Sequence, residues 1–494
     1  MSATSEEPKR QPAPALSEDE QTLRRLGYQQ ELSRRMTPFS NFAISVSIIC
    51  ILAGGITSFQ YGFCSVGGAS IGLGWPLVCL FSMTVALSMA QVASAFPTAG
   101  GLYHWAAILG GKGWGWITAW CNLVGLITVV AAVNAGTYDF LFGAFPWQTA
   151  GHPAAIKLAV VAALTLSQAY LNHRGIRLTT MLTDFCGYLI LVTASVLTLA
   201  MLWRAPHLDF SRLLTFANYS GLPADDPVLP HSNSLLWLFA LGFLLPAYTI
   251  TGFDASAHTA EETMSASVSA PRGIVRSVAV SAVFGWLMLS AIVLAIPNFD
   301  KAAAQGNNVL YWVMNTVLPR PLALLLYLNI GLTQYLCGLA GLTSASRMMY
   351  AFARDGGLPG SVWLRRVSTG LRAPATAVWT AAFLALLFMA FVPYSAIAAC
   401  CAVFLYISYV LPIAAGFLAY GRTWTKMGPW CLGRWYRPLA VISVIGCLGL
   451  IVIGVQPPNQ IALKILGGAA AVMAIAWFAF ERNRFQGPPQ ITEL

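Results

Sequence analysis

Residues 41–63 read "NFAISVSIICILAGGITSFQYGF", an apolar run without one charged side chain. The hydrocarbon core of a bilayer is about 30 Å thick, and a helix crosses it in about 20 apolar residues. The run is long enough to cross. About twelve residues in, it meets Ala53-Gly54-Gly55-Ile56-Thr57, which at a rise of about 1.5 Å per residue lies about 18 Å deep. Adjacent glycines weaken a helix, because they lose the most backbone freedom on ordering. The first span is therefore expected to break near the membrane midplane.

A second run has the same character. Residues 235–263 read "LLWLFALGFLLPAYTITGFDASAHTAEET". Three β-branched residues, Thr249, Ile250 and Thr251, precede Gly252 well inside the span. Any one of the 43 glycines could mark only close helix packing. Two interrupted spans five apart are more specific, and point to an inverted repeat whose broken helices build a binding site at mid-depth.

The remainder of the chain agrees with a membrane setting. Of 494 residues, 57% are hydrophobic and 9% charged, with a mean hydropathy of +0.66. Soluble domains hold about 45–50% apolar residues. Twelve spans are expected, at about 42–64, 75–96, 114–142, 154–171, 179–203, 235–260, 273–297, 321–346, 374–392, 395–420, 438–456 and 460–480. The class is an all-α polytopic membrane protein. With both termini cytoplasmic, 22 of the 28 Lys and Arg fall on the inner side, alternating loop by loop. That topological use of basic residues accounts for the net charge of +10 and argues against nucleic-acid binding. The ten cysteines show no CxxC pairs and no disulfide or zinc spacing. Residues 1–40 are expected to be a largely disordered cytoplasmic tail without the apolar core of a signal peptide. Within it "SEDEQTLRRLGY" carries a helix-start signal.

Ionisable groups inside a bilayer are functional candidates by default. Asp139 falls at the outer end of its span, Asp184 in the first turns of the fifth, and Asp254 deepest, directly after the break. Asp254 can be a helix N-cap, favoured by the helix dipole, or a contact to a substrate ammonium, or a titrating coupling residue. His258, Glu261 and Glu262 share one helical face at i, i+3 and i+4. A metal could use that spacing, but no second His or Cys cluster accompanies it. An inner gate of ion pairs with the nearby Arg272 and Arg276 is the functional reading, and a solvated helix end the plain one. Thr343, Ser344 and Ser346 precede Arg347 and Arg354 near the inner surface. Their hydroxyls could coordinate an ion beside the broken first span, or bond to the preceding helical turn. Tyr103, Trp105, Trp114, Trp116, Trp120, Trp147, Trp203 and Trp237 mostly suit an interfacial belt. Phe253, Tyr406 and Tyr409 lie deeper, as pocket walls.

Several motifs together resemble the amino acid–polyamine–organocation superfamily. They are "QVASAFPTAGGLYHWAAILGGKGWGWITAW" (91–120), "TGFDASAHTAEET" (251–263) and "SRMMYAFARDGGLP" (346–359). With "GIRLTTMLTDFCGY" (175–188), the wording is most similar to the amino acid/choline branch, the GABA-permease-like transporters. The resemblance runs over roughly 40–480. It implies a LeuT-like 5+5 inverted repeat with discontinuous helices 1 and 6, plus two C-terminal helices. The parts would be a first repeat over 41–203, an outer loop over 204–234, a second repeat over 235–420, the last two spans over 421–480 and a cytoplasmic tail over 481–494. It further implies that Gly54, Gly55, Ile56 and Thr57 present backbone N–H groups to a substrate carboxylate, with Ala53 also at the site. Tyr248, Thr249 and Ile250 would offer carbonyls to its amine, and Phe253 would form an aromatic gate over the site, with Thr251, Gly252 and Asp254 also at it. Half-helix termini attract charge in that sense. Two positions depart from the pattern. Gln91 stands where many relatives have Glu, and residues 178–203 hold no Lys or Arg for lysine-based coupling.

The expected function is secondary active transport of an amino acid or GABA-like zwitterion across the plasma membrane by alternating access. The partners are the lipid bilayer and a small amine-bearing substrate, with no cofactor and no metal. Coupling is expected as proton symport, with Asp254, His258 or Glu261 as candidate carriers, or as exchange without an ion; Na+ is the other candidate ion. Choline, a polyamine or another organic cation is the alternative substrate, held by aromatics and Asp254. A polytopic membrane enzyme is a lesser alternative, because His258, Glu261 and Glu262 lack catalytic partners. Neither a charged pore ring nor a large ligand-binding ectodomain suggests a channel or receptor.

Overall fold

The computed structural model describes residues 17–145 and 153–489, and Trp147 lies outside them. Among the described residues the regular structure is helical. Its order is α1 (Glu18–Arg25), α2 (Pro38–Ile49), α3 (Gly54–Thr57), α4 (Phe59–Val66), α5 (Trp75–Ala95), α6 (Leu102–Gly110), α7 (Lys112–Ala144), α8 (Pro153–His173) and α9 (Ile176–Arg204). There follow α10 (Leu235–Gly242), α11 (Leu244–Thr249), α12 (Ala255–His258), α13 (Ala266–Ala295), α14 (Phe299–Ala303), α15 (Val309–Val317), α16 (Arg320–Arg354), α17 (Ser361–Leu364), α18 (Ala375–Phe391), α19 (Tyr394–Ala419), α20 (Tyr436–Gly454) and α21 (Gln460–Ala476). Ten helical segments among the described residues are long and apolar enough to cross a membrane, and Leu235–Thr249 and Ala375–Phe391 are shorter apolar helices. Together they occupy the twelve expected spans. Five spans in each repeat make the second repeat enter from the opposite side, which is why the fold is inverted.

The two breaks differ in cause. Span 1 leaves helical geometry at Cys50, whose φ of 30° is left-handed, and resumes at Gly54. The break is thus Cys50–Ala53, ahead of the expected 53–57, and the glycine pair opens the second half-helix. A side chain at Gly54 would place its Cβ 2.7 Å from Thr249 Cα. The glycine therefore serves the crossing of α3 and α11 rather than the interruption. Span 6 breaks as expected. Helix α11 ends at Thr249, Gly252 takes φ +82°, and α12 restarts at Ala255. A Cβ on Gly252 would lie 2.1 Å from Ile48 Cγ2, so glycine is required both for the dihedral and for the space.

Residues 17–37 are ordered, unlike the disordered tail expected of them, and residues 1–16 lie outside the described set. Ser17 and Glu20 form a reciprocal capping box that starts α1, as the sequence signal indicated. Leu23, Tyr28, Leu32 and Met36 are buried against the bundle. The composition concealed this because a short segment with few apolar residues can be held by a surface it does not itself contain. Tyr103, Trp105 and Trp116 also depart from expectation. They are buried in the core around α6 rather than in an interfacial belt.

Candidate functional site

Where the broken helices cross, the structure leaves a partly open cavity of about 70 Å³, the volume open to the centre of a water molecule. Ala53, Gly54, Thr57 and Ser58 line it from span 1, and Tyr248 and Thr251 from span 6. Helix α7 contributes Val129, Ala132, Val133 and Gly136, and α16 contributes Gln334 and Cys337. Ala398 and Cys401 of α19 complete the wall with Ile48 and Ile49. No Asp, Glu, Lys, Arg or His is among the lining residues.

The polarity of this cavity comes from the backbone. A helix end leaves N–H and C=O groups without intrahelical partners. The N–H groups of Gly55 and Ile56, in the first turn of α3, have no acceptor among the described residues. The carbonyls of Thr249, Ile250 and Thr251, beyond the last turn of α11, have no donor there. Gln334 Nε2 donates to the Leu52 carbonyl at 3.2 Å, while its Oε1 is buried without a partner. Of these groups only Thr251 and Gln334 belong to residues on the cavity wall, while the free amides and the other carbonyls lie on the half-helix ends beside it. Gly55 itself turns towards Met288 and Leu289 of α13, and Gly54 is the glycine on the cavity wall. Gly55, Ile56, Thr249, Ile250, Gly252, Phe253 and Asp254 do not line it.

Asp254 sits beneath the cavity and is fully buried. Its backbone occupies the N-cap position of α12, but its side chain makes no capping hydrogen bond. Instead Oδ1 accepts from the Tyr409 hydroxyl at 2.8 Å, and Oδ2 accepts from Asn122 Nδ2 at 3.0 Å. His258 Nε2 lies 3.1 Å from Oδ2. The capping role considered for this carboxylate is therefore replaced by a side-chain network. The Tyr409 hydroxyl also accepts the Gly252 N–H at 2.9 Å, and the Tyr406 hydroxyl donates to the Ala247 carbonyl at 3.2 Å. These two tyrosines, one turn apart on α19, brace opposite sides of the break rather than lining the pocket. Phe253 packs on Tyr409 with ring centroids 5.0 Å apart, and its carbonyl accepts from Ser45 Oγ at 2.9 Å.

Below this lies a layer of ion pairs. Arg347 grips Glu262 through two bonds, Nε to Oε2 at 2.8 Å and an Nη to Oε1 at 3.1 Å, with both side chains fully buried. Arg354 grips Glu261 likewise, at 2.8 and 3.0 Å, and the Ala99 N–H adds a bond to Glu261 Oε1 at 3.0 Å. The partners are thus on α16. Arg272 and Arg276, expected as partners, are exposed on α13 and border a separate crevice. They point outward because the buried face of α13 is taken by small and apolar residues such as Ala270, Gly273 and Ile274.

The N-terminal segment closes over these pairs. The Glu262 carbonyl accepts from the Arg35 and Met36 amides, and Arg34 reaches the carbonyls of Ala260 and Thr263. Asp19 takes the Ser265 and Ala266 amides at 2.8 and 2.9 Å, holding the start of α13. The Asp355 carboxylate gathers the Tyr28 and Tyr103 hydroxyls at 2.8 Å each and His104 Nε2 at 3.0 Å. Burial pushes that carboxyl up, but His104, Arg354 and Tyr103 outweigh it and hold the group below the usual carboxylate range.

The remaining candidates are placed elsewhere. The single hydrogen of Thr343 Oγ1 is shared between Asn172 Oδ1 and the Leu339 carbonyl, both within hydrogen-bond distance, and Ser346 donates to the Thr343 carbonyl. Their hydroxyls are occupied in helix and helix–helix bonds, and Ser344 Oγ is buried without a partner. Asp184 accepts from Ser40 Oγ at 2.9 Å near the start of α2, away from the cavity. Asp139 pairs with Lys157 at 2.7 Å. Asn122 and Gln334 went unread in the sequence. Each is an uncharged polar residue in mid-span, the one signal that could have found them, and such residues are also ordinary helix–helix glue.

A family model described as "Amino acid permease" matches residues 36–480. Among curated relatives, the "Amino-acid permease BAT1" of Arabidopsis thaliana is 30% identical over 96% of this chain and 97% of its own. The "Amino-acid permease BAT1 homolog" of Oryza sativa subsp. japonica is 31% identical over 94% of both chains. The "GABA-specific permease" of Saccharomyces cerevisiae is 28% identical over 90% of this chain and 79% of its own.

Proposed function

The chain belongs to the amino acid permease family, a multi-pass membrane transporter of amino acids rather than an enzyme, and from that premise we propose that the cavity between α3 and α11 is the substrate site. A small zwitterion, an α-amino acid or GABA, would put its carboxylate on the amides of Gly55 and Ile56. Its ammonium would face the carbonyls of Thr249, Ile250 and Thr251. Exposed amides at a helix N-terminus favour an anion, and carbonyls at a C-terminus favour a cation. The observation that carries this reading is that free amides at the start of α3 and free carbonyls at the end of α11 belong to the two breaks whose Gly54, Tyr248 and Thr251 line a neutral cavity. A neutral wall suits a substrate of no net charge. An organic cation would want a carboxylate there, and Asp254 is already committed below. The names of the relatives, an amino-acid permease and a GABA permease, support the same substrate class.

Alternating access would then consist of opening the layer of Glu261, Glu262, Arg347 and Arg354 on one side, and the contacts around Tyr248 on the other. Tyr248 stands edge-on to Tyr61 and its hydroxyl accepts from Asn459 at 2.6 Å. We place the protein in the plasma membrane with both termini cytoplasmic. The basic residues support that orientation, and the packing of Pro489 beside Gly27 puts both ends of the described chain on one face. Purified protein in liposomes should take up labelled GABA or an amino acid, and Gly54→Val should abolish uptake. Normal uptake by that variant would remove the site from this cavity.

A further inference from the structure

We propose that Asp254 and His258 form a single proton-binding site, and that Tyr409 transmits its occupancy to the break in span 6. The inference rests on the transport reading above and names the ion that drives it. His258 Nδ1 lies 3.2 Å from the Ala99 carbonyl, which can only accept, so Nδ1 carries hydrogen. Nε2 then faces Asp254 Oδ2 at 3.1 Å. With a neutral imidazole and an ionised carboxylate, two lone pairs would meet at that distance. One proton must lie between them, on either atom, and the pair is then net neutral.

Removing that proton has two consequences. A net negative charge is left on a pair that is fully buried, which a low-dielectric interior strongly disfavours. The His258–Asp254 bond also becomes a repulsion. Asp254 directly precedes α12 and follows Gly252, so its displacement moves the break. Tyr409 makes this link physical. Its hydroxyl donates to Asp254 Oδ1 and accepts the Gly252 N–H. Thr251, the next residue, lines the substrate cavity. Proton release, movement of the break and reshaping of the cavity are thereby one event.

The surroundings leave few other places for the proton. From α19 come Tyr409 and, edge-on to it, Tyr406. From α7 comes the Asn122 amide, and from α2 only uncharged Asn41 and Ser45. On the far side of the Ala99 peptide Glu261 is held by Arg354, and on α16 Arg347 is held by Glu262. Arg272 and Arg276 of α13 face outward. The other buried His–carboxylate pair among the described residues, His104–Asp355, lies beside Arg354, whereas Asp254–His258 has no permanent cation at hand.

Two measurements test this. In proteoliposomes, a gradient of about one pH unit can drive about tenfold accumulation through one proton. Asp254→Asn keeps a donor towards Nε2 and mimics the loaded site. It should equilibrate its substrate without accumulating it, and whatever exchange remains should be flat with pH. Tyr409→Phe should uncouple, lowering accumulation while its pH profile keeps the wild-type midpoint. Undiminished pH-driven accumulation by Asp254→Asn would overturn the proposal. Independently of transport, pH-difference infrared spectra of the wild-type protein should show a carboxyl and an imidazole signal titrating together, both lost in His258→Gln. Their absence from the wild type would overturn the site even if transport is intact. Wild-type protein that moves no amino acid but shows the titration would instead remove the proposed function.

Discussion

Arg347→Met tests whether the inner ion pairs are a gate or merely glue. Arg347 and Glu262 are both fully buried and joined by two charged hydrogen bonds. Met fills much the same volume but leaves the Glu262 carboxylate without a cation, since Arg354 is committed to Glu261. Removing one partner of a buried pair costs about 3–5 kcal/mol. If the pair exists only while the inner side is closed, that energy is lost from the closed state alone. At about 1.4 kcal/mol per decade, the equilibrium moves about a hundredfold to several thousandfold towards the open state. The double variant Glu262→Gln/Arg347→Met leaves no stranded charge and should shift far less. The chain carries its own reporters, because Cys337 and Cys401 line the central cavity. Cys431 is the exposed cysteine among those described, so a Cys431→Ser background silences the surface. A small impermeant thiol reagent applied to the inner face should label Arg347→Met much faster than the background protein, and the double variant at an intermediate rate. Equal labelling of Arg347→Met and a protected background would refute the gate, leaving the pair as a static tie.

Three further outcomes follow from the geometry. Gly54→Ala should abolish uptake, because its Cβ would meet the Thr249 backbone at 2.7 Å, whereas Gly55→Ala, with its nearest neighbours at 3.8–3.9 Å, should transport at close to the wild-type rate. Gly252→Ala combines a left-handed dihedral with a 2.1 Å approach to Ile48 Cγ2. The dihedral alone costs about 1–2 kcal/mol, so Tm should fall, and adding Ile48→Ala should recover only the part due to the clash. Asp355→Asn weakens the three bonds that anchor Tyr28, Tyr103 and His104, each worth about 1.5–3 kcal/mol when charged, so trypsin should cut faster after Arg24, Arg25 and Arg34. The same release should occur in acid. The Asp355 carboxyl is held below its usual value, so its stabilisation is complete above the unfolded pKa of about 3.9 and is lost as pH falls through the lower folded value. If Asp355→Asn keeps the pH dependence of proteolysis in that window, Asp355 is not the anchor.

The two breaks illustrate how far a linear reading reaches. Gly252 was legible because one residue supplies both the positive φ and the missing side chain. Gly54 and Gly55 pointed to the right turn of helix for the wrong reason. The bend is at Cys50, which no propensity singles out, and Gly54 is small because Thr249 is there. Asp254 was flagged by depth alone. His258, four residues on along the same helix, was a partner the i, i+4 spacing offered and the reading passed over. Asn122 and Tyr409 come from two other helices, and a sequence does not state which faces meet. Arg347 and Arg354 were noted as an inner pair of cations, yet Glu261 and Glu262 were assigned to Arg272 and Arg276 because those are nearer along the chain. Nearness in sequence misleads where an antiparallel span brings a helix end from almost a hundred residues away.

The sequence by itself determined that the chain crosses a membrane many times and that spans 1 and 6 are interrupted. Those are properties of a residue against its solvent or its own backbone, and they hold whatever the neighbours are. Only the tertiary structure decided that the N-terminal segment is a packed latch, that Asp254 is tied to Asn122 and Tyr409 rather than to a helix end, and that the central cavity has no charged wall. Each of these is a matter of which surfaces touch. In a bilayer, where apolar surfaces gain little by preferring one another over lipid, that choice is made by small residues and a few polar bonds, too sparse to be read before the helices are assembled.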